Sequence, residues 1–208
     1  DAFVVASGQV ATLSAAQGSK AIDISAGSGA AAKVKVNATA DISGITLDSD
    51  ISEIIVASGQ VATLSSAQAV KAVDISAGSG AAAKLKVSTS TDVSSLTFDS
   101  DVTEFIVTSG TLTVSTAQAT GRVISGAGGV TVKALATNAN LASISASGTI
   151  TANIAATGNY SANTNIATVD AFVVASGQVA TLSAAQGSKA IDISAGSGAA
   201  AKVKVNAT

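Results

Sequence analysis

The chain has 208 residues, of which 47% are hydrophobic, 12% are charged and 2% are aromatic. This balance separates it from disordered chains, which are rich in charge and poor in apolar residues. The net charge is −2 with no His and no Cys, which excludes disulfides, thiol chemistry and metal sites built on Cys or His. Lys residues occur singly or in alternation, so no basic patch predicts a nucleic-acid partner. No apolar run approaches the ~20 residues of a membrane span.

Near-copies of one unit follow each other along the chain. The stretch VASGQVATLSAAQGSKAIDISAGSGAAAKVKV at 5–36 returns at 56–87 with few changes. We therefore divide the chain into repeat unit 1 (residues 1–50), repeat unit 2 (51–101), a divergent repeat unit 3 (102–149) and a short partial unit or linker (150–169). Residues 170–208 repeat residues 1–39 without a change and begin the next superperiod. We expect the chain to be a segment of a longer tandem-repeat protein.

Alternation of apolar and polar residues within each unit predicts short β-strands. Lys33-Val34-Lys35-Val36 and Thr111-Leu112-Thr113-Val114 show the pattern, and turn signals such as Ser-Gly and Asp-Ser-Asp separate such segments. The stretch LSAAQ at 13–17 predicts one helical turn capped by Ser14. Longer helices are not expected, because Gly, Ser, Thr and β-branched residues interrupt every candidate window.

These elements predict an all-β fold, and we favour a β-solenoid. A β-sandwich domain typically needs about 100 residues, so the alternative, tandem β-sandwich domains, requires two repeat units per domain. A solenoid accepts unequal units, because each coil needs only a neighbour above and below. Two coils of about 25 residues in each unit, stacked at about 4.8 Å, would give a thin rod.

The sequence predicts no enzyme and no cofactor, since it lacks His, Cys and the Gly-x-Ser-x-Gly and Gly-x-Gly-x-x-Gly motifs. One acidic cluster recurs and is the candidate metal site. Its members are Asp48, Asp50 and Glu53, with Asp99, Asp101 and Glu104 as their copies. Carboxylates at a turn can bind Ca²⁺ through hard oxygen ligands. The alternative is ordinary turn chemistry, in which the carboxylates accept backbone N–H bonds.

Two further groups of side chains are candidates for surface interactions. Lys33 and Lys35, with their copies Lys84 and Lys86, are expected to face Asp23 or Asp74 on a neighbouring coil. Residues 134–169 carry no charge. An interaction surface is predicted there for another copy or a glycan, with a distorted linker coil as the alternative; its residues are Asn159, Tyr160, Asn163 and Asn165.

The pattern VASGQVATLSAAQ…DISAGSG…KVKV resembles the tandem repeats of large bacterial surface and secreted proteins, adhesin-like or filament-forming. The resemblance implies an extracellular or cell-surface location. It also implies a structural segment of a fibre, stalk or surface-layer element, built from stacked β coils, whose partners are copies of itself, end-to-end or lateral. The alternative is an adhesin whose lateral face binds glycan, mineral, ice or another surface. A regular Thr ladder on one flat face would favour the adhesin, whereas the Thr residues look scattered along the sequence.

Overall fold

A computed structural model describes residues 3–6, 9–20, 22–24, 31–75, 82–193 and 201–206. Over these residues the chain winds through about 9 turns of a β-solenoid. Every strand pair with an assigned register in this part of the chain is parallel. The solenoid prediction is therefore confirmed. The alternative of tandem β-sandwiches is wrong, because sandwich sheets are antiparallel.

The chain divides into two compact bodies, which differ from the repeat units of the sequence. The N-terminal body comprises Asp1–Lys86 and Leu96–Glu104, and the C-terminal body comprises Val87–Ser95 and Phe105–Thr208.

The N-terminal body contains short strands and single helical turns. Its elements are β1 (Phe3–Val5), β2 (Val10–Leu13), α1 (Ala15–Gly18), β3 (Ile22–Ile24), β4 (Ala31–Val36), β5 (Ala40–Asp41), β6 (Ile51–Val56), β7 (Val61–Leu64), α2 (Ser66–Ala69), β8 (Ala72–Ile75), most of β9 (Ala82–Val87) and the first half of β11 (Val102–Val107). One sheet has the order β2-β4-β6-β8, a second runs β5-β7-β9-β11, and β1 pairs with β3. From β4 to β9 the chain alternates between the first two sheets.

The C-terminal body contains the second half of β11 and the remaining elements. These are β10 (Thr91–Asp92), β12 (Thr111–Ser115), α3 (Thr116–Ala119), β13 (Val123–Ser125), β14 (Gly129–Lys133), β15 (Ile150–Ile154), β16 (Gly158–Asn159), a 3₁₀ turn (Thr164–Ile166), β17 (Ala171–Val174), β18 (Val179–Ser183), α4 (Ala184–Gly187), β19 (Ala190–Ile193) and β20 (Lys202–Asn206). A six-stranded sheet has the order β10-β12-β14-β15-β17-β19 and a three-stranded sheet the order β16-β18-β20, while β13 lies beside β11.

One coil is shorter than half a repeat unit, so the predicted coil length is too long. Val34 pairs with Ile54, and Ala62 pairs with Ala83, on neighbouring strands of one sheet. The difference in residue number within each pair is the number of residues in one coil. A repeat unit therefore spans about two and a half coils and not two. As a result β4 and its copy β9, which carry nearly the same sequence, lie in different sheets of the N-terminal body.

The core consists of the inward residues of each strand and is almost entirely aliphatic. In β4 the residues alternate between buried and more exposed positions, and Val34 has no exposed surface. Two of the four Phe residues, Phe105 and Phe172, are fully buried in the C-terminal body, whereas Phe98 is half-buried. The side chain of Phe3 lies outside the described residues.

The predicted helical turn at LSAAQ is confirmed. Helix α1 begins after Ser14, whose hydroxyl accepts the N–H of Gln17 while Gln17 Oε1 accepts the N–H of Ser14. Helices α2, α3 and α4 have the same reciprocal cap. None of the helices in the described segments has the length and apolar character needed to cross a membrane.

Candidate functional site: side-chain ladders on the coils

The six acidic residues proposed for calcium divide into turn residues and ladder residues. Asp48 Oδ1 accepts the N–H of Asp50 at 2.9 Å, and Asp99 Oδ1 accepts the N–H of Asp101 at 3.0 Å. This is the turn chemistry expected as the alternative. Glu53 and Glu104 lie on strands instead, each paired with a lysine. Within the described residues no three acidic side chains converge on one point, and calcium binding at these positions stays a prediction.

The lysines form ion pairs between coils, with partners other than those expected. Lys33 Nζ lies 2.7 Å from Glu53 Oε2, and its copy Lys84 lies 2.6 Å from Glu104. The predicted partner Asp74 lies on β8, where it pairs with Ile55 of β6. Since β6 lies between β4 and β8, Asp74 is two strands away from the lysines of β4. The side chain of the other predicted partner, Asp23, lies outside the described residues.

A second kind of ion pair spans two strands of a sheet. Lys86 Nζ lies 2.6 Å from Asp41 Oδ2, and Lys133 Nζ lies 2.6 Å from Asp92 Oδ2. The hydrogen bond from Lys86, assisted by Ser43, lowers the pKa of Asp41 to about 2. Lys133 and Ser94 lower the pKa of Asp92 to about 2 in the same way. Both pairs are substantially exposed, so screening by solvent reduces what they contribute to stability at neutral pH.

Tyr160 is a core residue, which corrects its assignment to an interaction surface. Only 2% of the residue is exposed, and its hydroxyl lies 3.1 Å from Leu135 O and 3.3 Å from Ala156 O. Burial raises the pKa of this phenol. Its backbone N–H donates to the next coil as those of Ile42 and Val93 do, so Tyr160 occupies the same corner position as these two residues. The sequence carries a signal for this equivalence, because Asp41-Ile42-Ser43, Asp92-Val93-Ser94 and Asn159-Tyr160-Ser161 share the pattern Asp/Asn-x-Ser.

The three asparagines predicted with Tyr160 form hydrogen bonds within corner turns. Asn159 Oδ1 accepts the N–H and hydroxyl of Ser161. Asn163 Oδ1 accepts the N–H of Asn165, and Asn163 Nδ2 donates to Thr137 O and Ala139 O. Asn159 and Asn165 are exposed. Their role in an interaction surface stays a prediction.

Sequence reasoning found the cap formed by Ser14 but missed both roles of the recurring glutamines, in the cap and between coils. Gln68 Nε2 donates to Ile42 O at 2.8 Å and to Ile45 O at 2.7 Å, in the corner loop of the preceding coil. Gln118 Nε2 donates to Val93 O at 2.8 Å, and Gln186 Nε2 donates to Tyr160 O and Asn163 O at 3.0 Å each. Each of these glutamines therefore caps a helical turn and donates hydrogen bonds to the loop of the preceding coil. The recurrence of Ser-x-x-Gln was the available signal.

A threonine ladder runs along the outer face of the six-stranded sheet in the C-terminal body. Thr113 pairs with Thr131, and Thr131 pairs with Thr151, on the successive strands β12, β14 and β15. The sequence suggested scattered threonines, and this expectation was wrong. Residues that are distant in the sequence lie side by side here, because the loops between them set the register.

The ladder occupies the positions that elsewhere carry an ion pair between a lysine of one repeat unit and a glutamate of the next. The outward residues at the equivalent positions of neighbouring strands are Thr12, Lys33 and Glu53 in one sheet. In a second sheet they are Thr63, Lys84 and Glu104. In the ladder, Thr131 of the divergent repeat unit 3 replaces the lysine, and Thr151 of the partial unit replaces the glutamate. The outward side chains across these strands are therefore neutral, whereas the equivalent side chains elsewhere form an ion pair.

Neither protein-family models, nor curated proteins, nor solved structures give a match to this chain. What the chain does must therefore be argued from its own geometry.

Proposed function

We propose that this chain is a structural segment of a long extracellular repeat protein that forms a fibre, stalk or surface-layer element. Its role is mechanical. Parallel coils satisfy each other's backbone hydrogen bonds, and the aliphatic column of one coil continues into the next. The observation that carries the proposal is the recurrence of the same contacts at successive coils, namely the glutamine-to-corner hydrogen bonds and the Lys–Glu pairs.

Copies of the chain are proposed to join end to end through strands that already have a pairing pattern. Strand β20 carries the sequence of β4, and β1 is the repeat equivalent of β6. Since β4 pairs with β6 inside the chain, β20 of one copy has a suitable partner in β1 of another. Val205 on β20 is 52% exposed, whereas its sister Val36 on β4 is 4% exposed. Continuation of the repeats in a longer chain, or docking of a second copy, would cover this side chain, and head-to-tail contacts that do not close produce filaments.

Electron microscopy and light scattering of the purified chain test this assembly. Filaments of uniform width whose length grows with protein concentration are expected. Val205→Lys should abolish them, because it places a charge in the contact, whereas Val70→Lys, at a residue 42% exposed directly after α2, should not. A chain that stays monomeric at high concentration would contradict end-to-end assembly.

The extracellular location is part of the same proposal and rests on the resemblance of the repeats to those of bacterial surface proteins. Antibodies raised against the chain should label intact cells that produce the full protein. Labelling that requires permeabilised cells would contradict this location.

A further inference from the structure

The threonine ladder forms a small grid of hydroxyl and methyl groups with fixed spacings. Its rungs Thr113, Thr131 and Thr151 are about 4.8 Å apart, the separation of paired strands. Thr111 and Thr149 precede two of the rungs by two residues, which corresponds to about 6.6 Å along a strand. The middle position of this second column is Gly129, which pairs with Thr111.

The grid is rigid, and its hydroxyls are available to a partner. The residues that alternate with the threonines along the strands, among them Leu112, Val130 and Ala152, have no exposed surface. They anchor the strands in the core. In the part of the chain that the structure describes, the hydroxyls of the five threonines form no side-chain hydrogen bond. Many other hydroxyls on the coils bond locally, as Ser43 does to Asp41 and Ser94 to Asp92.

The charge of the face selects an uncharged partner. Ala171 and Ala190 continue the column beyond Thr151, so the strip stays neutral and flat in that direction. At its other end Asp92 aligns with Thr113, and the nearby Lys133 neutralises it at 2.6 Å. A mineral surface would require a row of free charges, which this strip lacks.

Two uncharged or weakly charged partners fit the face poorly. Carbohydrate recognition commonly uses exposed aromatic rings, whereas Phe105, Tyr160 and Phe172 of this body are buried. A second copy of the chain would need an interface of about 800 Å² per partner. The grid offers only on the order of 100–200 Å², judged from strand spacings.

We propose that the outer face of β12, β14 and β15 binds the surface of ice. Ice is uncharged and periodic, and each of its oxygens both donates and accepts hydrogen bonds, as a threonine hydroxyl does. The hydroxyls of Thr113, Thr131 and Thr151 would take positions in the outermost water layer, while the methyl groups would fill the space between them. This activity goes beyond the structural role and does not depend on assembly into filaments.

Ice-affinity partitioning of the 208-residue chain tests the proposal, with slow freezing of a dilute solution and measurement of the protein in the ice. The wild-type chain is expected to enter the ice. The double variant Thr131→Lys/Thr151→Glu should be excluded like an unrelated soluble protein. This variant should fold, because the same pair at Lys84 and Glu104 is accommodated at 2.6 Å on the equivalent strands. Circular dichroism and the melting temperature verify that it does.

The reciprocal variant supplies a gain of activity. Lys84→Thr/Glu104→Thr extends Thr63 into a second ladder of three threonines, and its uptake into ice should exceed that of the wild type. Exclusion of the wild-type chain from ice would overturn the proposal. Equal uptake of the wild type and the Thr131→Lys/Thr151→Glu variant would do the same, as would ladder-dependent retention on insoluble polysaccharide without ice uptake. None of these results bears on filament formation, which the Val205 variants test separately.

Discussion

The side-chain amide of Gln68 donates a hydrogen bond of 2.8 Å to the carbonyl oxygen of Ile42, a residue 26 positions earlier in the chain. The same amide reaches Ile45 O at 2.7 Å. Because Gln68 is only 2% exposed, water has little access to replace these bonds. The contact connects a helical turn of one coil to the corner of the coil before it, and it recurs at Gln186.

Replacing Gln68 by Glu should destabilise the solenoid. A glutamate keeps the acceptor that caps Ser65 N but presents a carboxylate oxygen to the carbonyl oxygens of Ile42 and Ile45. Ile42 O keeps the N–H of Ile45 as a donor, so Ile45 O is the carbonyl that loses its hydrogen bond. An unsatisfied carbonyl costs about 1–3 kcal/mol, and the free energy of unfolding should fall by about that amount. Urea unfolding followed by circular dichroism measures this change.

Gln17→Glu is the matched control for that measurement. Gln17 caps Ser14 N at 2.9 Å as Gln68 caps Ser65 N, but it is exposed, and among the described residues its amide donates to no carbonyl of another coil. Glutamate is also favoured at this position of a capping box. The control should change stability by less than about 0.5 kcal/mol. Equal losses in the two variants would show that capping, and not the contact between coils, explains the effect.

Tyr160 should titrate above its ordinary range in the folded protein. Burial raises the pKa of its phenol from the ordinary value of 10.0, so the folded state favours the neutral form. The associated stabilisation is present below pH 10 and is lost as the pH rises further. Because Tyr160 is the only tyrosine, phenolate absorbance reports on it alone, and it should appear together with alkaline unfolding. Titration at the ordinary value in a folded chain would contradict its burial.

Local features of the structure could be predicted from the sequence. The alternation in Lys33-Val34-Lys35-Val36 predicts a strand because a strand exposes successive side chains on opposite faces. Ser14 and Gln17 predict a capped turn because both partners lie within one helical turn. The solenoid followed from the unequal lengths of the repeat units, which separate closed domains do not tolerate well.

Features that depend on pairing between distant residues could not be predicted. The alignment of Thr131 with Thr151 depends on the conformation of the connection from Ala134 to Thr149, and a shift by one residue would turn the ladder inward. The partners of Lys33 and Gln68 were missed for the same reason, since the observed coil and the longer predicted coil place different residues side by side. Tyr160 was misassigned because aromatic residues are rare in this chain and its aliphatic sister positions were not recognised.

Close stacking of turns should make Gly148→Ala strongly destabilising. A Cβ atom at Gly148 would lie 2.6 Å from the backbone carbon and oxygen of Gly128, which have no flexible side chain to move aside. Overpacking of this kind typically costs about 1–3 kcal/mol. Gly44→Ala is the control, because a Cβ atom there meets nothing within 4 Å, and thermal unfolding should detect little or no loss. Similar melting temperatures for the two variants would contradict the close approach of the turns at Gly128 and Gly148.

The stability of the chain should fall in acid partly through Asp41 and Asp92. Their pKa values are lowered to about 2 from an ordinary value of 3.8. A lowered pKa contributes stability that is present above the unfolded value and is lost as the pH falls through the folded value, so the loss should lie between pH values of about 4 and 2. The double variant Asp41→Asn/Asp92→Asn removes both charges, yet it should retain the turns, because Asn159 forms the same turn with Ser161. Melting temperatures recorded from neutral pH to pH 2 should therefore fall less steeply for this variant than for the wild type. Parallel curves would show that the pairs with Lys86 and Lys133 do not couple to folding.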